Sequence, residues 1–173
     1  HTKSAKDGST RTFPVSEDDF IASTLPMSLT TELMGSSVPG DLAKLARDTI
    51  VLNDLLLVFL HIDKPALMKD SWVFVPDPDI VFHRLSEQKA FDPGMTPDGS
   101  IVCCEVMSSE IRPMGGRTDE ELIAASVADL GKMGYSGFNV KASKVIRLPR
   151  SYPVYRVGYE QGLARITAEL DKV

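Results

Sequence analysis

The pattern of hydrophobic and polar residues predicts strands in the middle of the chain and helices on both sides of them. The central runs LLLVFLHID, WVFVPD, IVFHRLSE and SIVCCEVMSS are rich in β-branched and aromatic residues. Short polar or Pro/Gly-rich links separate these runs, and consecutive strands with short links form antiparallel sheets. The prolines and aspartates of PDPD predict a tight connection, so we expect residues 72–85 to form a hairpin.

Four segments have the pattern of helices. MSLTTELM follows Pro26, which the first turn of a helix tolerates, and residues 39–49 place their apolar residues on one helical face. In RTDEELIAASVADLGKMGY, Thr118 and Glu121 have the spacing of a capping box, and Gly134 is expected to end the helix. YEQGLARITAELDKV predicts a final helix.

Two further strands are predicted outside the central runs, DFIAST at residues 19–24 and KASKVIRLP before the final helix. Together these elements predict an α+β fold, in which about four helices pack on an antiparallel sheet of mostly consecutive strands. Residues 1–18 are polar and predict an N-terminal extension or loop, whereas residues 19–173 predict a single domain.

The composition argues against two classes of protein. A net charge of −5 is unfavourable for general nucleic-acid binding, which normally requires a basic patch. No apolar run reaches the roughly 18 residues that a membrane span requires. The first residues, HTKSAKDGSTR, lack the apolar centre of a secretory signal, so we expect a cytoplasmic protein.

The common signatures of nucleotide, phosphate and metal sites are absent from the sequence, which has no GxGxxG after a first strand, no P-loop, no HExxH and no CxxC. Cys103 and Cys104 are its only cysteines. Neighbouring strand residues point to opposite faces, so these two thiols cannot share one metal ion in regular geometry. Buried structural thiols are the expected role, and no metal site is predicted.

The strand IVFHRLSE contains the main candidate for ligand binding. Alternation places Arg84 on the face opposite to His83, and its planar guanidinium suits a phosphate, a carboxylate or the edge of a flavin ring. The alternative is an arginine exposed to solvent. Glu105 lies within an apolar strand, where a carboxylate needs a partner, and pairing with Arg84 would satisfy both groups. His83 is either a general base or a structural histidine.

A second candidate is the extended segment SYPVYRVGY, which precedes the final helix. Tyr152 and Tyr155 flank a proline, and their phenols could donate hydrogen bonds to a polar ligand while their rings stack on it. The alternative is that both rings pack the strand against the helix.

Longer stretches of the sequence resemble one superfamily. HRLSEQKAFDPGMTPDGSIVCCEV resembles a strand, loop and strand of the flavin-dependent amine oxidase, protoporphyrinogen oxidase and UDP-galactopyranose mutase-like superfamily. Three more stretches resemble it in the same order: DFIASTLPMSLTTELMG, TDEELIAASVADLGKMGY and SYPVYRVGYEQGLARITAEL. The resemblance covers about residues 19 to 172, and its most specific part is YPVY.

This resemblance implies that residues 19–173 are the central substrate-binding domain of an FAD-dependent oxidoreductase or sugar-nucleotide mutase, inactive in isolation. FAD would be bound mainly by parts of the parent enzyme that this chain lacks. Arg84 matches an arginine near the flavin and the substrate, and Tyr152 and Tyr155 match tyrosines on the substrate side. No catalytic residue is implied, because the flavin supplies the chemistry. Arg156 replaces an acid that is usual in the mutase-like pattern, which argues against a sugar nucleotide.

Other functions and partners follow from the same residues. One alternative is a stand-alone ligand-binding or protein-interaction module that uses an open sheet face without flavin. Another is a small enzyme with His83 and Glu105 as acid and base, which requires both groups in one cleft. A fragment would have as partners a small-molecule substrate, the FAD-binding domain of its parent and, through an exposed apolar face, further copies of itself.

Overall fold

The structure, a computed structural model, describes residues 2–3, 6–14, 16, 18–20 and 22–172. Over these residues the chain forms four α-helices and seven β-strands. The helices are α1 (Met27–Met34), α2 (Leu42–Thr49), α3 (Asp119–Lys132) and α4 (Tyr159–Leu170). The strands are β1 (Thr2–Lys3), β2 (Thr10–Arg11), β3 (Val51–Ile62), β4 (Trp72–Phe74), β5 (Arg84–Glu87), β6 (Ser100–Ser108) and β7 (Val140–Val154).

The central element is a five-stranded sheet in the order β4-β5-β6-β3-β7. Every neighbouring pair is antiparallel, and β3 pairs with β6 on one side and β7 on the other. The fold is therefore α+β, and the predicted fold class is confirmed. The predicted hairpin is also present, since β4 pairs directly with β5. The short strands β1 and β2 form a separate antiparallel pair.

One face of the sheet is covered by α3 and forms the main core. Alternate residues of β3, Leu56, Val58 and Leu60, point into this core, as the period of two in a strand requires. The capping box predicted for α3 is present, because Thr118 accepts a hydrogen bond from the Glu121 N–H and the Glu121 carboxylate accepts one from the Thr118 N–H. These reciprocal bonds fix where α3 begins above the sheet.

The other three helices pack mainly against one another. Val38, Leu42, Ala46 and Ile166 are buried together in a second, smaller core. Thus the sheet is covered chiefly by α3, whereas α1, α2 and α4 form their own cluster. No helix among the described residues is long and apolar enough to cross a membrane.

Two details of the predicted strands are wrong. Residues 19, 20 and 22–24 of DFIAST are not in a strand, and residue 21 lies outside the described residues. The strand predicted from residue 80 begins only at Arg84, and Phe82 is buried in the main core together with Leu85 instead of sharing a face with Arg84. The backbone before β5 is held by other partners, because the Val81 N–H donates to the buried carboxylate of Asp129 at 2.6 Å.

Close packing of α4 on α2 at Gly162 can be tested by mutation. A Cβ atom at Gly162 would lie 2.2 Å from Thr49 Oγ1, so Gly162→Ala should lower the free energy of unfolding by about 1–3 kcal/mol. Gly131→Ala in α3 is the matched control, because nothing lies within 4 Å of its Cβ position, and it should leave stability unchanged or raise it by up to about 1 kcal/mol. Urea denaturation of both variants measures the difference, and equal stabilities would contradict the packing.

Candidate functional site

The sheet face opposite α3 carries the candidate site, and its side chains follow from the strand register. Residues directly opposite each other in an antiparallel pair share a face. One row across the sheet is Phe74, Arg84, Glu105, Leu57 and Ile146. The next row is Trp72, Ser86, Cys103, Phe59 and Lys144. We call these two rows the open face, since both aromatic side chains on β4 are exposed.

Arg84 and Glu105 form a bidentate ion pair in the first row of the open face. Arg84 Nε lies 2.7 Å from Glu105 Oε1, and Arg84 Nη2 lies 2.8 Å from Oε2. The carboxylate is 8% exposed and the guanidinium side chain 36% exposed. The hydrogen bonds that Arg84 donates to the Glu105 carboxylate raise the pKa of Arg84 above its usual value, although partial burial opposes this. The predicted pairing of these residues is confirmed.

His83 lies beside this ion pair, and its position is fixed through its backbone. The backbone N–H of His83 donates to the Glu105 carbonyl at 3.0 Å, and its ring contacts the Tyr152 ring edge-to-face, with centroids 6.1 Å apart. Both ring nitrogens are buried, and neither has a hydrogen-bond partner among the described residues. Burial lowers the pKa of His83, although the nearby Glu105 opposes the shift. The imidazole is therefore neutral at neutral pH.

An irregularity in β7 brings Tyr152 to this region. The register shifts between Asn53 and Leu55 of β3, so that Tyr152 lies opposite Asn53. Within the shifted segment, Arg150 has a φ of 51°, and its N–H donates to Asp54 Oδ1 at 2.8 Å. A left-handed conformation is uncommon for a residue other than glycine, so Asp54 stabilises a turn that the chain would otherwise avoid.

Tyr155 lies apart from the ion pair, His83 and Tyr152. Its ring packs against Tyr159 at the start of α4, with centroids 5.1 Å apart, and its side chain is 70% exposed. The structure thus brings Arg84, Glu105, His83 and Tyr152 together and leaves Tyr155 with the helix that follows.

The two cysteines are free, buried and on opposite faces, as the sequence predicted. Cys103 lies opposite Ser86 on the open face, and Cys104 lies opposite Leu85 in the main core. Burial raises the pKa of Cys103 to about 12 and that of Cys104 further. Both remain thiols at neutral pH, so neither is an activated nucleophile. Among the described residues no group of three or more His, Cys, Asp or Glu could hold a metal ion.

Several residues that the sequence reasoning missed lie on or near this face. Trp72 and Phe74 pack edge-to-face with centroids 5.1 Å apart, and their place beside Ser86 and Arg84 follows only from the register of β4 on β5. A cavity of about 420 Å³ lies at one end of the sheet, with Asp54, Glu110 and Arg156 among its lining residues. Charged residues next to strand ends were the available sequence signal for this cavity.

Comparison with known proteins gives similarity at the level of structure. No protein-family model matches the chain, and no curated protein matches it significantly. A reduced UDP-galactopyranose mutase superposes with a TM-score of 0.71 and 17% identity, over 86% of this chain and 33% of the mutase. A protein described as a protoporphyrinogen oxidase, from an Exiguobacterium species, gives a TM-score of 0.61 and 18% identity, over 85% of this chain and 32% of that protein.

These similarities show that the chain has the fold of one segment of each protein and spans about a third of their length. Both names belong to the superfamily that the four sequence motifs resemble. The part of the resemblance that concerns the fold is therefore confirmed, because the fold is that of one segment of each of these two proteins.

The ion pair makes a specific prediction about stability. Arg84→Met leaves a nearly buried carboxylate without its partner, so it should lower the free energy of unfolding by about 2 kcal/mol or more. Adding Glu105→Leu removes the unpaired charge and should restore much of the loss. Lys144→Met, which removes an exposed cation from the same face, should change stability by less than about 0.5 kcal/mol. Chemical denaturation measures all three, and equal effects of the two single variants would contradict a structural pair.

His83 makes a prediction about pH. Its pKa lies below 6.5 in the folded chain and near 6.5 when unfolded, so the unfolded chain binds more protons as the pH falls through 6.5. The contribution of neutral His83 is therefore present above pH 6.5 and is lost as the pH falls toward the folded-state pKa. As the pH falls over this range, the free energy of unfolding of the wild-type chain should decrease relative to that of the His83→Asn variant. NMR titration of the ring protons gives the folded pKa directly, and a value above 6.5 would contradict the burial of an unpaired ring.

Proposed function

We propose that this chain is the substrate-binding part of an FAD-dependent oxidoreductase or mutase, and that this part has no activity alone. The observation that carries the proposal is its fold, which matches a third of a mutase and of an oxidase. The open face supports the same conclusion, because it combines exposed aromatic side chains with a polar pair at its centre. Substrate sites are typically concave, mostly apolar pockets with a few fixed polar groups, and under this proposal the FAD-binding domain would enclose the open face to form one.

Arg84 is the residue proposed to contact both the flavin and the substrate. Glu105 takes two of its five N–H donors, and the partly exposed guanidinium retains others for a ligand. When bound, FAD would supply the electron or hydride chemistry. The residues of this chain would bind and orient the substrate, with Tyr152 forming part of the pocket wall. Tyr155, which is exposed beyond the end of β7, is proposed to reach substrate from a second side.

Acid-base catalysis by His83 and Glu105 has less support. Both oxygens of Glu105 accept hydrogen bonds from Arg84, and the ring nitrogens of His83 are buried against Tyr152. A general base must reach the proton that it removes, and neither group is available to do so in this arrangement.

The remaining partners follow from the same proposal. The FAD-binding domain of the parent protein would cover part of the open face, and a small-molecule substrate would lie between the two. We propose a cytoplasmic parent. Where the covering domain is absent, the exposed Trp72 and Phe74 would favour self-association, which light scattering at several concentrations can measure.

The proposal is tested in a longer protein that contains this segment together with its FAD-binding segments. Arg84→Lys keeps the positive charge beside Glu105 but loses the planar fork, so turnover should fall roughly tenfold or more while bound flavin is retained. Arg147→Lys is the matched control, because Arg147 pairs with Asp119 of α3 away from the open face, and its turnover should equal that of the wild type.

Equal turnover of the Arg84→Lys and Arg147→Lys variants would contradict the placement of Arg84 in the proposed site. An FAD titration of the 173-residue chain provides a second test, with no tight binding expected. Tight binding would mean that this segment holds the cofactor by itself, contrary to the proposal.

A further inference from the structure

We propose that the open face binds an uncharged, planar conjugated ligand through one hydrogen-bond acceptor, and that it discriminates against anionic ligands such as diphosphates. This inference rests on the proposed function, because it names the class of substrate that the same face would accept. It also distinguishes between the two kinds of parent enzyme, since a sugar nucleotide carries a diphosphate.

The charge of the ion pair disfavours an anionic ligand. Glu105 binds Arg84 through two hydrogen bonds, so the pair has no net charge. An anion placed on Arg84 would also lie next to the Glu105 carboxylate and would be repelled by it, strongly so because this carboxylate is nearly buried. A neutral carbonyl or ring nitrogen avoids this repulsion and can still accept a hydrogen bond from the remaining guanidinium donors.

The two rows of the open face carry little additional positive charge. In the two rows of the open face, the other cationic side chain is Lys144, which lies on β7 three strands from Arg84. At about 4.8 Å between strands, the separation across the sheet alone is roughly 14 Å. His83 adds no positive charge at neutral pH, because burial lowers its pKa. Diphosphate sites normally bring several donors or cations together, and these two rows do not.

Aromatic rings and apolar side chains flank the ion pair on both sides. Phe74 lies opposite Arg84, and Trp72 lies opposite Ser86, so two exposed rings stand at one side of the ion pair. Leu57 lies on the other side of Glu105 and Phe59 on the other side of Cys103, both only partly buried. A planar ligand can therefore contact rings and aliphatic groups while one polar atom meets Arg84.

The experiment uses fluorenone, a neutral planar ketone, and fluorenone carboxylate, which has the same ring system with a negative charge. UDP is the diphosphate probe. Trp72 is the only tryptophan of the chain and lies on the open face, so quenching of its fluorescence reports binding there. Equilibrium dialysis gives a second measure of each affinity. For the wild-type chain we expect saturable binding of fluorenone and affinity at least roughly tenfold weaker for both anions.

Two kinds of variant test where the ligand binds and why the neutral probe is preferred. Phe74→Ala should weaken fluorenone binding severalfold, whereas Phe91→Ala should not, although the two rings are similarly exposed at 59% and 56%. Glu105→Gln keeps the shape of the side chain and frees the charge of Arg84, so the preference for the neutral probe should shrink roughly tenfold or reverse. Circular dichroism confirms that each variant is folded.

Three results would overturn the inference: wild-type binding of either anion as tight as that of fluorenone, no saturable binding of fluorenone, or an unchanged preference in a folded Glu105→Gln variant. The affinities of the wild-type chain for fluorenone and for the two anions test the inference even if the Glu105→Gln variant does not fold. Since no flavin is present in these measurements, failure here is separate from failure of the proposed function. If the chain prefers the neutral probe but the Arg84→Lys variant of the longer protein has normal turnover, the proposed ligand class stands. The proposed role of Arg84 in the flavin-dependent reaction is then contradicted.

Discussion

The structure depends on the pairing of β3 with strands on both of its sides. This strand has 12 residues, and β6 and β7 align with it over most of its length. Its alternation separates the residues that pack under α3 from those that face away. A shift of one residue in either pairing would move Leu56 and Val58 out of the core, so burial of the apolar side fixes the register. The composition of the open face is a consequence of the same register.

The ion pair between Arg84 and Glu105 illustrates how the register determines chemistry. Arg84 is the first residue of β5, and Glu105 lies directly opposite it in β6, so that backbone pairing already brings the two side chains together. A nearly buried carboxylate without such a partner would be costly. The cross-strand position therefore provides a fixed polar group within an apolar surface, without requiring a flexible loop to hold it.

Much of this arrangement could be predicted from the sequence. Alternating β-branched runs and turn residues indicated the central strands, the spacing of Thr118 and Glu121 indicated the start of α3, and a glutamate in an apolar strand implied a partner. Register was not visible, so the positions of Trp72 and Phe74 beside the ion pair could not be predicted. DFIAST has the composition of a strand, but strand formation requires a neighbouring strand, which composition does not reveal.

The position of Tyr152 in the sheet could not be predicted from the sequence. Its position depends on a register shift that involves Asp54 and the left-handed conformation of Arg150. A hydrogen bond between a side chain and a backbone group almost a hundred residues away leaves no local pattern in the sequence.

The edge strand β7 has a consequence for how the chain associates with other copies of itself. A long unpaired edge is a template on which strands of other molecules can add. In β7 this edge carries Lys141, Lys144 and Arg147, is interrupted by Pro149 and Pro153, and is distorted by the register shift. Positive charge, missing N–H donors and an irregular backbone each oppose the growth of a continuous sheet between molecules. The chain thus has its own protection against fibril-like assembly along this edge, and this protection does not depend on the open face.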